Sequence, residues 1–250
     1  MVIPNLASTV AFVAIVLGLC ALFVLAVRRG SPAELRQKRT LWSAAAVFAV
    51  LALSAALAET GVVRSLAGSP ALLLYIGLWN GLALATALSP IGRSIVESSP
   101  IGALVGFQAF RLPLELVLHS WYEQGVLPVQ MTYSGHNFDI VSGVLAAALG
   151  LFAWRRTPPR ALVWAFNLIG LGLLIAVARI AVLSSPVPFR TYLEEPAVQL
   201  AFHAPYTWIL PICVAGALFG HVLTFRWLLR RSELSAGSAG EAARSLVTPR

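Results

Sequence analysis

The stretch from Leu6 to Val27, LASTVAFVAIVLGLCALFVLAV, contains no charged residue. Coiled into a helix at 1.5 Å per residue, it is long enough to cross the ~30 Å hydrocarbon core of a bilayer. No basic region precedes it and no A-x-A-type cleavage site follows it, so it reads as a retained helix and not a signal peptide. Six more apolar runs follow at Leu41–Ala58, Pro70–Leu88, Ile101–Ser120, Phe138–Trp154, Ala161–Leu183 and Tyr206–Leu229. Of the 250 residues, 58% are hydrophobic and 11% charged, against about 25% charged in an ordinary soluble domain. One core cannot absorb so much apolar surface, but lipid can. The ten-residue alternating segments of a membrane β-barrel are absent, which leaves helices as the way to satisfy the backbone in lipid. The expectation is an all-α polytopic bundle of about seven spans over residues 1–231, with lipid as its first partner. The polar tail 232–250 is expected to be disordered.

Basic residues between the runs orient the bundle. Arg28, Arg29, Arg36, Lys38, Arg39, Arg93, Arg155, Arg156, Arg160, Arg226, Arg230, Arg231, Arg244 and Arg250 all fall on one side, and only Arg64 and Arg190 on the other. The positive-inside bias places the amino terminus outside and the carboxyl terminus in the cytoplasm. The same placement explains the net charge of +8 without nucleic acid, since no basic stripe with interleaved aromatics is present. Trp42, Trp154, Trp164 and Trp227 at cytoplasmic ends, with Trp121 and Trp208 at outer ends, suit an aromatic belt. The pairs Gly77/Gly81, Gly102/Gly106 and Gly216/Gly220 suit close helix packing. Cys20 and Cys213 lie in apolar runs without metal-ligand spacing and read as small hydrophobes.

The fourth run carries the chemistry. Arg111 sits too deep to snorkel, and a charge there costs at least ~2.5–3.5 kcal/mol, so it should be paired inside the bundle. Glu115, four residues on, is the expected partner. Gln108, Arg111, Glu115 and His119 fall within a wedge of roughly 80° and line one face. Pro113 removes a backbone hydrogen bond and should bend this helix. Two readings stand: a ligand pocket, and a structural ion pair that locks the bundle. In the outer loop before the fifth run, Gly135 supplies turn freedom, and Asn137 or Asp139 can cap the next helix. The alternative there is that Asp139 and His136 face the outer end of the polar stripe. Arg179, four residues from the outer end of the sixth run, completes the candidate set with Gln108, Arg111, Glu115, His119 and Asp139. His119, His136 and His203 lie on the outer side near Glu123, Glu194 and Glu195, but without ligand spacing, and no metal, haem or other cofactor is expected. His221 suits an interhelical hydrogen bond. The only lysine, Lys38, is outside the spans, which excludes a retinal Schiff base.

Phe110-Arg111-Leu112-Pro113-Leu114-Glu115, Met131-Thr132-Tyr133 and Gly135-His136-Asn137-Phe138-Asp139 together resemble a family of uncharacterised bacterial integral membrane proteins with an F-R-x-P-x-E span and a G-x-N-F-D loop. The similarity extends to Trp208, Pro211 and His221 and so touches most of the second half. It implies a bacterial inner-membrane location and transfers no activity. Relatives often carry arginine at the position of His136, which argues against a metal role there.

Three function classes follow, in this order. The first is transport or binding of a small ligand through an outward-facing pocket, with Arg111 holding an anion or carboxylate. The second is a non-catalytic subunit or assembly factor docking a membrane-protein partner through its outer loops. The third is a membrane enzyme, for which no nucleophile–base pair is visible. Alkaline phosphatase fused at the carboxyl end is expected to be inactive and green fluorescent protein there fluorescent. A phosphatase-active fusion overturns the orientation and the odd number of spans.

Overall fold

The computed structural model describes residues 2–230, so the tail expected to be disordered lies outside the described residues. Each apolar run is a helix, and no strand occurs among the described residues. Helix α1, Leu6–Gly30, starts where the Asn5 side chain accepts the Ser8 amide at 2.9 Å and closes on Arg28 and Arg29. These are the cap and the charge sign that a helix start and end favour. Helix α2, Arg36–Glu59, is followed by Gly61 at φ +76°, a left-handed turn that glycine enters without strain. Helix α3 spans Ala71–Leu88, and Ser89 with Pro90 then opens the short α4, Pro90–Ser98.

The fourth run is broken, as its proline requires. Helix α5, Ile101–Gly106, tightens to a 3₁₀ turn at Phe107–Phe110 before α6, Arg111–Glu123. Pro113 has no N–H for the carbonyl four residues earlier, and its ring excludes a regular turn there. Helices α7, Asp139–Arg155, and α8, Arg160–Ser184, precede the last helical stretch, α9, Tyr206–Arg230. That stretch opens with a 3₁₀ turn and a π turn, Leu210–Val214, around Pro211.

Six helical stretches among the described residues are long and apolar enough to cross a membrane. Helix α7 is not among them. Its 17 residues extend about 26 Å, a little short of a ~30 Å hydrocarbon core. Burial is inverted relative to a water-soluble protein. Leu17, Leu22, Phe48, Leu74, Leu78 and Leu151 are exposed, while Gln108, Arg111, Glu115, Asn137, Asn167 and His221 are fully buried. Charged side chains are almost never fully buried unless paired, and a large apolar exterior suits lipid.

The structure sorts the sequence-based packing signals. Trp154 is 88% exposed and Trp42 is also exposed, as a belt requires. Trp121 departs from it: fully buried, it packs between Phe12 and Tyr206 at ring distances of 5.3 and 5.4 Å. Gly77 and Gly81 face open space and hold no helix. Gly102 and Gly106 do, since a Cβ on Gly102 would lie 2.9 Å from the Ala153 Cβ, and one on facing Gly150 would lie 3.0 Å from the Gly106 Cα. Gly220 meets the Phe107 ring and the Gln108 amide in the same way. Tighter than these is Gly143 on α7, where a Cβ would overlap the backbone of Leu112. Gly143→Ala must therefore push α7 away from α6 and is expected to cost about 1–3 kcal/mol, the usual range for overpacking. Gly77→Ala is the matched control. Equal melting temperatures for the two variants in detergent would show that α6 and α7 do not touch there.

A buried ionic centre and the cavity beside it

Asp139 is the first residue of α7, and the Gly143 contact holds α7 close to Leu112, next to Arg111. The Arg111 Nε donates to Asp139 Oδ2 at 2.6 Å, and Nη2 donates to Oδ1, a bidentate pair that is the strongest geometry available to these groups. Nη1 donates to the Gly170 carbonyl at 3.1 Å and reaches His221 Nε2 at 3.0 Å. His221 Nδ1 lies 2.8 Å from Asn167 Oδ1, while the Asn167 amide donates to the His221 carbonyl at 3.2 Å. Asn167 Oδ1 can only accept, so His221 carries its proton on Nδ1 and offers the Nε2 lone pair to Arg111. Helices α6, α7, α8 and α9 thus converge on one guanidinium, and Arg111 is 1% exposed.

The expected Arg111–Glu115 pair is corrected by this geometry. Arg111 hydrogen-bonds Asp139, and Glu115 bonds Asn137, whose Nδ2 lies 2.9 and 2.8 Å from the two carboxylate oxygens. Four residues on one helix do bring Arg111 and Glu115 to one face, but the tertiary partner offers a bidentate approach that the helix backbone denies. Asn137 is itself fixed. Its Nδ2 also donates to the Met131 carbonyl at 3.0 Å, and its Oδ1 accepts the Asp139 amide at 3.0 Å. Asn137 therefore does the capping, while Asp139 is committed to Arg111. Gly135 is needed for close approach and not for a positive φ, because a Cβ there would collide with the carbonyl of Val129.

The remaining candidates divide. Gln108 is buried and donates to the Ala217 carbonyl at 2.8 Å, tying the 3₁₀ turn to α9. His119 stands apart from the ionic centre, stacked on Tyr133 at 4.4 Å with Glu123 at 3.7 Å. His136 is exposed beside Tyr192. Arg179 is exposed on α8 and does not join the site. His203 meets Arg64 at 2.7 Å, so the three outer histidines stay separate. His221 makes the interhelical bond expected of it. Asn167 and Gly170 were missed. An asparagine in an apolar run was the available signal, whereas nothing local marks one backbone carbonyl as a partner.

Beside the centre lies a cavity of about 130 Å³. Arg111, Glu115 and Asp139 form its charged part, and its walls are apolar side chains of α3, α6, α8 and α9. The long loops fold inward over this end. Gln130, Met131, Thr132 and Asn137 are buried, as are Val198, Leu200 and Phe202, and of these Met131 and the last three line the cavity. The second loop is braced by Arg190, which bonds Glu195 at 2.9 Å and the Tyr192 and Glu194 carbonyls. The Arg190 bond, with the Ala197 amide, holds the Glu195 carboxyl below its ordinary range.

An all-helical bundle of the multi-pass membrane type, closed around a buried arginine–carboxylate centre, is the class that fold and site define. The chain belongs to the family of the domain of unknown function DUF8737, which matches residues 69–229. That region runs from α3 through α9 and contains the whole ionic centre. No curated protein and no solved structure matches the chain.

Removing one partner of a buried ion pair strands the other, a loss of about 3–5 kcal/mol. Arg111→Ala and Asp139→Ala are each expected to lower the melting temperature in detergent, and the double variant to lose far less than their sum. Arg111→Ala with Glu115→Ala is expected to come much closer to additivity. Stronger coupling to Glu115 than to Asp139 would overturn the assignment of partners.

Proposed function

We propose that this protein crosses a bacterial inner membrane seven times, with its amino terminus outside and its carboxyl terminus in the cytoplasm, and that it binds or carries a small, largely apolar molecule in the cavity beside Glu115. The one-sided Lys and Arg distribution supports the orientation. The six long helices, with α7 as a short seventh, support the count. A largely apolar cavity with a few convergent polar groups is the usual form of a small-molecule site, and this observation carries the reading.

The ligand differs from the anion expected on Arg111. Nε, Nη1 and Nη2 of that guanidinium all make hydrogen bonds to protein atoms, and Asp139 neutralises its charge. The inward fold of both outer loops also favours a ligand site over a docking role, because Leu127, Met131, Val198, Leu200 and Phe202 are buried against the bundle, although Phe189 and Leu193 of the second loop are exposed.

Ala181 lines the cavity, and Ile175 on the same helix is exposed. Protein purified in native lipid discs is expected to release a stoichiometric small molecule on solvent extraction, read by mass spectrometry. Ala181→Phe should abolish it by filling the cavity, and Ile175→Phe should leave it unchanged. Equal yields from both variants, or no bound molecule in any of the three proteins, overturn the reading.

A further inference from the structure

We infer that the molecule held in this cavity presents a protonated amine to Glu115 on an otherwise apolar body. This rests on the cavity being a ligand site and adds the chemical class of the ligand.

The argument begins with charge balance at the buried end of the cavity. Arg111 and Asp139 cancel each other through two hydrogen bonds, and Gly170 and His221 take the hydrogens of Nη1. Four of the five guanidinium N–H groups are used in this way, and the charge of that part of the centre is balanced. Glu115 is a second carboxylate with no basic side chain bonded to it, and it is 1% exposed. Its hydrogen-bond donor is the neutral Asn137 amide, which bridges both oxygens. Two carboxylate oxygens offer about four acceptor positions, so much of this capacity is unfilled. Asn137 cannot turn to supply more, because the same Nδ2 also donates to the Met131 carbonyl and the Asp139 amide holds its Oδ1. Glu115 lines the cavity, so the missing donor has to come from there.

The surroundings narrow what can supply it. A carboxylate or phosphate would meet both Glu115 and Asp139 with like charge. A bare calcium or magnesium ion needs six or more oxygen ligands, zinc needs three or four protein ligands, and no cluster of three or more His, Cys, Asp or Glu occurs among the described residues. An ammonium group needs no such cage. It carries its own hydrogens to the carboxylate, makes charge-assisted bonds, and supplies the counter-charge that a carboxylate at this depth lacks. A second unfilled group lies in the same wall. Trp121 is fully buried, lines the cavity, and has no partner for its indole N–H among the described residues. A hydroxyl or carbonyl oxygen on the same ligand would accept it, while the remaining lining takes up the apolar body.

Three probes with one apolar body and different heads separate the alternatives: octylamine, 1-octanol and octanoate, titrated at neutral pH against the full chain in lipid discs, with melting temperature giving apparent affinity. Octylamine is expected to bind at least about tenfold more tightly than octanol, as a hydrogen bond to a charged group provides, and octanoate most weakly. Glu115→Gln keeps an oxygen for Asn137 and should fold. It is expected to lose the preference for the amine while binding octanol as before, which also cancels any difference in partition into lipid. If octanol matches octylamine, or octanoate exceeds it, or Glu115→Gln retains the amine preference, the amine assignment is overturned while the cavity remains a ligand site. If no probe shifts the wild-type melting temperature more than that of Ala181→Phe, the cavity reading fails with it.

Discussion

Everything at the centre of this bundle depends on neutralising one guanidinium where water cannot reach it. A buried Arg111 without a partner would be too costly to keep, so Asp139 has to arrive within bonding distance. That requirement fixes how closely α7 approaches α6, and the approach is possible because position 143 has no side chain. The second end of the guanidinium binds Gly170 on α8 and His221 on α9, so one residue sets the relative positions of four helices. Glycine again permits the contact, since a Cβ on Gly170 would lie 2.7 Å from the His221 ring.

The same closure makes Glu115 different from its neighbours. Arg111, Asp139, His221 and Asn167 satisfy one another in a network with defined donors and acceptors. A buried polar network of this kind rigidifies the helices that contribute to it. Glu115 lies at its border, bonded to a fixed asparagine on one side and facing the cavity on the other. The two carboxylates thus differ in their surroundings: Asp139 is committed to the guanidinium, and Glu115 lines the cavity.

The loops complete the site. Asn137 reaches Glu115 from the segment before α7, and Val198, Leu200 and Phe202 cover the cavity from the segment before α9. Those three residues are buried, while Phe189 and Leu193 of the same segment face outward. The broken start of α9, with its π turn beside Pro211, leaves Leu210 and Cys213 in the cavity wall. Irregular backbone is tolerated at membrane depth where it is enclosed by protein or lines a cavity, and here it does the second.

By itself the sequence determined the helices. Runs of apolar residues with most charges between them leave helices as the way to satisfy the backbone in lipid, and all seven runs are helical within a few residues of their expected bounds. It also singled out Gln108, Arg111 and Glu115, because polar groups in apolar runs are costly and conspicuous, and Asn137 and Asp139 as caps of the next helix. Only the tertiary structure decided who pairs with whom. Spacing along one helix favoured Glu115 for Arg111, since sequence reports neighbours on the same helix and is silent about facing ones. The pairing was settled instead by a close approach of two backbones at Gly143, which a sequence records only as one glycine among nineteen. Arg179 and Trp121 show the same limit from the other direction. Both looked alike as polar or amphipathic groups near the outer end. Yet rotation about the helix axis turned one outward and the other into the cavity wall, and that rotation is set by packing against neighbours and not by the residue itself.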